Sequence, residues 1–431
     1  MRRLRDQVVL TSTFESRRQI RALTQLLRQL FLPVYGPTFL LSAGQGAVMP
    51  ILPLAAQDLG ASIALAGIIA ALRGLGNYIF DIPAGIIVGR IGERWSILSS
   101  GAILVVACVF AIYAITAIES STTTALICFS AVIFLMGAAS SLWQVARLVY
   151  IAGACSEELR GRGISLVGGF TRAGRFAGPV LAAFLYTFSG LEMAFVLFSI
   201  FTLVALVLIL SSFQDTLHRV PEDTISLREI GVVIINYKSI FSTVGVAVIL
   251  LAVVRHSRDV FWPLWGSQIG LSAQEISLIM GLSFAVDTVP FYFAGIIMDK
   301  FGRRAAAIPS LLILSVTTLG LIFTESFSEM LIVCLISGFG NGLGSGIVMT
   351  IGADLSLPEN RGQFIGVWRL VSDTGQAGGS MLVGPLAAIT SLAFTVSGIG
   401  AIGLLGVLMF VFFVQEPKTI ELPSRSTDDS S

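Results

Sequence analysis

Apolar stretches that carry no charge, such as 101–118 and 394–414, recur along the whole of this 431-residue chain. About 20 such residues, coiled as a helix, cross the roughly 30 Å hydrocarbon layer of a bilayer. A water-facing surface needs about a quarter of all residues to be charged. Here 12% are charged and 55% are hydrophobic, which excludes an ordinary soluble enzyme. The runs also lack the alternating pattern of a lipid-exposed barrel, which leaves an all-α membrane protein.

Polar breaks divide the sequence into twelve transmembrane helices, at 36–58, 63–89, 95–117, 124–152, 163–187, 191–212, 240–266, 273–298, 304–324, 328–353, 363–388 and 391–414. The breaks after odd-numbered helices hold no Lys or Arg, and all but the one at Thr390 carry an acid, such as Asp58, Glu192 or Glu275. The loop and tail cations lie on the other side, in the N-terminal arm and at Arg90, Arg94, Arg160, Arg162, Lys300, Arg303 and Arg304. That sorting marks the cytoplasmic face, so a multi-pass plasma-membrane protein with both termini in the cytoplasm is expected. The expected divisions are a basic amphipathic arm over 1–35, a six-helix bundle over 36–212, a cytoplasmic linker over 213–239, a second bundle over 240–414 and a tail over 415–431. In the arm, Leu23, Leu26, Leu27 and Leu30 recur at helical spacing beside Arg17, Arg18, Arg21 and Arg28, which suits the inner leaflet.

Four scattered cysteines and two histidines offer no metal cluster or disulfide framework. The phosphate loop of an ATPase is missing from the sequence, so no cofactor and no nucleic-acid partner are expected.

The chain repeats itself. The stretch 84–94 recurs 210 residues later as 294–304, and the same offset brings Pro53, Gly60 and Ser62 onto Pro263, Gly270 and Ser272. An offset of 201 superposes Gly174 on Gly375 and Gly178 on Gly379. Two pseudo-symmetric six-helix bundles in the same orientation follow.

On these residues the chain resembles the major facilitator superfamily, from about residue 36 to 414. The superfamily's loop after the second helix is matched in the second half by Gly295, Asp299, Lys300, Gly302, Arg303 and Arg304. In the first half it is matched by Gly85, Arg90, Gly92 and Arg94, with Gly89 and Glu93 departing from the pattern. The resemblance implies a latch on the cytoplasmic side. Gly174, Gly178 and Pro179 resemble the core of the fifth-helix motif of drug:proton antiporters, and close helix packing is the other reading of the same residues. The glycine ladder Gly338, Gly340, Gly342, Gly344 and Gly346 is expected to pack one half against the other.

Charges inside spans are costly and mark function. Arg73, Asn77 and Asp81 share a face of the second helix, and the first helix supplies Gln45, the equivalent of Arg255 at the 210-residue offset. The fifth helix carries Arg172 and Arg175; the seventh carries Arg255, His256 and Asp259, with Arg255 and Asp259 one turn apart; the eighth carries Asp287; the eleventh carries Arg369 and Asp373. The offset of 201 suggests that Arg172 meets Asp373 across the central cavity.

The resemblance implies a secondary active transporter, not an enzyme, that moves a small organic solute by alternating access. Protons or another ion gradient, the lipid bilayer and the solute are the expected partners, and the chain is expected to be monomeric. Proton-coupled efflux of amphiphilic compounds is the leading expectation, with an aromatic cavity wall from Phe80, Trp143, Phe170, Phe176, Tyr292 and Trp368. Uptake or exchange of an organic anion is the alternative, because seven intramembrane Arg outnumber four intramembrane Asp. A transporter-like membrane sensor is the lesser one.

Overall fold

The computed structural model describes residues 24–116, 122–212, 227–356 and 361–414. Twelve long helices run through the described residues: α1 (Thr24–Asp58), α2 (Ile63–Ile91), α3 (Glu93–Thr116), α4 (Thr122–Ala154), α5 (Glu157–Leu185), α6 (Glu192–Ser212), α7 (Lys238–Gln268), α8 (Ala273–Phe301), α9 (Arg304–Leu321), α10 (Phe327–Leu355), α11 (Arg361–Ile389) and α12 (Leu392–Phe413). Ten are long and apolar enough to cross a membrane. The other two, α5 and α11, dilute their apolar sequence with arginines and glycines, and both hold functional candidates. Large apolar side chains such as Val207 (63% exposed) and Phe412 (71%) point outward, as a lipid-facing surface requires.

The first helix starts earlier than the sequence suggests. Residues 24–35 continue into α1 through a π-helical stretch at Phe31–Tyr35, with Leu26 and Leu30 buried in the core. They are therefore not part of a separate surface arm; residues 1–23 of that expected arm lie outside the described residues. So do residues 213–226 of the linker; Leu227–Asn236 forms a short helix, and α7 begins at Lys238, inside the expected linker.

The repeat seen in the sequence recurs in the backbone. Ser62 caps α2 by accepting from the Leu65 amide, and Ser272 caps α8 by accepting from the Glu275 amide. The turns before them use Gly60 (φ +90°) and Gly270 (φ +81°), and the turns after α2 and α8 use Gly92 (φ +81°) and Gly302 (φ +91°). These left-handed positions sit at the same 210-residue offset, which explains why glycine stands at each. Packing is paired in the same way. In the first half α1 lies against α5 and α2 against α4; in the second, α7 lies against α11 and α8 against α10.

The two halves meet through α2 with α11 and α5 with α8. Their contacts gather toward the acid-bearing ends of the helices. There Ser267 donates to the Gln57 side chain at 3.0 Å, a Cβ on Gly67 would approach Gly384 to 3.0 Å, and one on Gly281 would approach Val180 to 2.9 Å. At the arginine-rich ends, Gly85, Gly89 and Gly295 face open space.

The ladder on α10 serves a different contact from the one expected. Gly338 and Gly342 let α10 approach the backbone of α8 at Ser283 and Asp287, and Gly340 and Gly344 approach Ile313 and Ser310 on α9. All of these partners lie within the second half, so the ladder packs that bundle internally. At Gly346 (φ +80°) the helix breaks, dividing α10 into Phe327–Leu343 and Ile347–Leu355.

Candidate transport cavity

Charged and amide side chains buried in a bilayer must find partners, and here those of six helices converge on one space. A cavity of about 150 Å³ is walled by Ser42 and Gln45 of α1, Arg73 and Asn77 of α2, Ser140, Gln144 and Arg147 of α4, Thr171 and Arg175 of α5, His256 and Asp259 of α7, and Gln376 and Ser380 of α11. Polar residues dominate this wall. Several are locked to one another: Gln45 donates to Ser140 at 3.0 Å, Gln144 donates to Asn77 at 3.2 Å, and Ser380 donates to the His256 carbonyl at 3.3 Å. The imidazole of His256 lies 3.9 Å from Asp259.

The cavity thus gathers Gln45, Arg73, Asn77, Arg175, His256 and Asp259 of the expected pathway residues. The others lie outside its wall. Asp81 accepts from Ser141 at 2.5 Å within the first half. Arg172 does not meet Asp373. It crosses between the halves to Asp287 at 3.1 Å and to Ser345 at 2.9 Å, with its guanidinium 4.3 Å from the Phe291 ring. Asp373 instead pairs along its own helix with Arg369 at 3.5 Å. Nor do Arg255 and Asp259 pair, because Arg255 donates to the Gly344 carbonyl at 3.2 Å and so caps the broken end of α10. Arg258 donates to the Arg255 carbonyl at 2.9 Å and stacks over Trp262 at 5.2 Å.

Asp287 has a second partner in Asn341 of α10, which donates to it at 2.9 Å. The pairing of α8 with α10 thus repeats that of α2 with α4, where Asn77 meets Gln144. Asp287 is buried, at 7% exposure, and its ion pair joins α5 of one half to α8 of the other.

The aromatic wall is not formed. Trp143 packs beneath Gly101, between α3 and α4, and Trp368 stacks on Phe364 while donating to the Val348 carbonyl at 2.8 Å. Phe170 stacks on Tyr35, Phe80 meets Phe134 edge-on, and Tyr292 stands 75% exposed against Phe293. These rings, with Phe176, are absent from the cavity wall. In the other direction, sequence reading missed Ser140, Gln144, Thr171, Gln376 and Ser380. Their signal was available: 140, 144 and 147 fall at i, i+4 and i+7 along α4, a polar stripe on an otherwise apolar helix.

Of the fifth-helix residues, Gly174 and Gly178 are placed for close approach. A Cβ on Gly174 would come within 2.6 Å of the Phe39 carbonyl, and one on Gly178 would overlap the Ala43 carbonyl. Pro179 rests against Gly46. The loop motif differs between halves. In the second, Arg303 grips Asp354 of α10 at 2.6 and 3.3 Å and donates to the Met298 carbonyl at 2.9 Å, while Arg304 reaches the Val414 carbonyl. Asp299 and Lys300 are exposed beside this grip. In the first half Glu93 takes the place of Arg303, so the same grip cannot form. The pairing of Arg303 with Asp354 is expected to contribute at most about 1 kcal/mol, the upper end for a partly exposed ion pair. A thermal-unfolding double-mutant cycle with Arg303→Ala and Asp354→Ala measures it, and additive effects would show that the grip contributes nothing.

The Major Facilitator Superfamily model matches residues 37–262 and 247–429. No match was found among curated protein sequences. Among solved structures, the chain is similar to a POT family transporter in complex with a thioalcohol-conjugated peptide, at 13% identity over 90% of this chain and 96% of that one, with a TM-score of 0.72. A D-xylose-proton symporter aligns at 17% identity over 90% and 98%, with a TM-score of 0.71. The inward-open form of a xylose transporter from E. coli aligns at 15% identity over 90% and 97%, with a TM-score of 0.68. At such identities the likeness speaks for the fold, while the family model spans both halves. The chain belongs to the Major Facilitator Superfamily and is a multi-pass membrane transporter of the secondary kind, not an enzyme.

Proposed function

We propose that this protein is a plasma-membrane transporter, with both termini in the cytoplasm, that carries a small hydrophilic organic anion by alternating access under a proton gradient. The observation that carries this reading is the wall of the cavity, where Arg73, Arg147 and Arg175 meet a single carboxylate, Asp259. An amphiphile needs an apolar, aromatic-rich pocket, and the rings expected to provide one lie outside this wall. The glycines of the fifth-helix motif are accounted for by the contact of α5 with α1, so efflux by a drug:proton antiporter loses both of its supports. With the arginine-rich ends facing the cytoplasm and the halves touching at the other ends, the conformation is open to the inside. The proton carrier in this reading is Asp287, the acid whose ion pair bridges the halves. Proteoliposomes holding the full chain provide the test: an imposed pH gradient should drive uptake of labelled organic anions. Accumulation of lipophilic cations, or anion transport indifferent to the gradient, would overturn the proposal.

A further inference from the structure

Arginines inside this membrane protein fall into two groups. Outside the cavity, Arg172 has Asp287 and Arg369 has Asp373, while Arg255 and Arg258 are held only by the Gly344 and Arg255 carbonyls and the Trp262 ring, each with one nitrogen buried without a partner. Those lining the cavity do not have the counter-charges they need. Among the described residues neither Arg73 nor Arg175 has a carboxylate within ion-pair distance. Arg147 donates to Thr38 at 3.3 Å, but its Nε is buried without a partner. The wall therefore holds three guanidiniums against Asp259, an excess of two positive charges with His256 neutral. A charge taken out of water needs a counter-charge and hydrogen bonds, and a guanidinium prefers the paired oxygens of carboxylate or phosphate.

We infer that the solute is a small organic dianion, a dicarboxylate or a phosphomonoester, whose two negative charges balance the excess of Arg73, Arg147 and Arg175. This inference rests on the organic-anion reading and narrows it. The three arginines come from α2, α4 and α5, all in the first half, so the anion is gripped by one bundle. The second half presents His256 and Asp259 opposite. Ser42, Thr171 and Gln376 add neutral hydrogen-bonding groups for hydroxyls on the same molecule. A monoanion would leave one buried positive charge unanswered, and a neutral sugar would leave two.

The test uses the purified full chain in detergent, with succinate and glycerol phosphate as dianions, lactate as monoanion, and xylose and tetraphenylphosphonium as neutral and cationic probes. Binding is read by equilibrium titration and by the ligand-induced rise in Tm. Either or both dianions should bind at least tenfold more tightly than lactate, and the comparison of succinate with glycerol phosphate identifies the head group. Arg175→Gln and Arg147→Gln should each weaken that binding by about 10- to 100-fold, the usual loss for a charge-assisted hydrogen bond. The ligand-free Tm of both variants should hold or rise, since each removes an unbalanced charge. A fall in ligand-free Tm in both would overturn the inference by showing that the arginines are structural. Equal binding of lactate and the dianions would sink the dianion and leave the anion reading standing. Preference for xylose or tetraphenylphosphonium would sink both.

Discussion

Asp287→Asn is expected to abolish proton-driven accumulation while leaving solute exchange in place. The aspartate is held by Arg172 at 3.1 Å from the other half and by Asn341 at 2.9 Å. Asparagine keeps nearly the same shape but has no charge, so it imitates the protonated acid permanently. In the proposed coupling, a proton on Asp287 would remove the counter-charge of Arg172, which also donates to Ser345 at the break in α10. Freed there, the segment Ile347–Leu355 would be able to move about Gly346, whose φ of +80° marks the break. A coupled proton under a one-unit pH gradient, with membrane potential clamped at zero, supports about tenfold accumulation of solute. The variant should therefore fall from about tenfold accumulation to none in proteoliposomes, with exchange of labelled for unlabelled solute preserved. Retained accumulation would exclude Asp287 as the carrier. The complementary variant Arg172→Gln leaves a buried carboxylate unpaired and should show the same loss of coupling.

The sequence made the architecture readable because its signals were local or periodic. Span length, the sorting of loop cations and the recurrence of Gly60 with Gly270 and Ser62 with Ser272 need no knowledge of tertiary contacts. The site was readable only in part, because its partners are set by side-chain direction. A spacing of one turn brings Arg255 and Asp259 to one face of α7, yet Arg255 turns to a carbonyl 89 residues away and Asp259 turns to His256. The internal symmetry misled at Arg172 in the same way. Superposition aligns it with Asp373, but repeat-related positions face each other only near the axis between the halves, and Arg172 on α5 lies against α8. The large rings carried no directional signal at all. Trp143 and Trp368 fit cavity or core equally well from composition, and the helix faces sent them into the core.

Gly178→Leu is expected to damage folding severely, and Gly379→Leu is its counterpart in the second half. Both glycines bring two helix backbones into direct contact. A Cβ at Gly178 would overlap the Ala43 carbonyl of α1, and one at Gly379 would lie 2.5 Å from the Val253 carbonyl of α7. Small residues four apart, Gly174 with Gly178 and Gly375 with Gly379, form the flat surface that permits this approach. Overpacking against side chains costs about 1–3 kcal/mol, and a backbone neighbour cannot rotate away, so a loss at or above that range is expected. Gly169, on the same helix as Gly178, faces open space and serves as the control: Gly169→Leu should leave Tm nearly unchanged. Thermal unfolding and the yield of monodisperse protein in detergent report the difference. If Gly178→Leu and Gly169→Leu behaved alike, the packing role would be wrong, and the resemblance of these glycines to the fifth-helix motif of drug:proton antiporters would regain its force. If Gly178→Leu alone is destructive, the glycines are there because α1 and α5 touch, and the transported solute must be read from the arginines beside them.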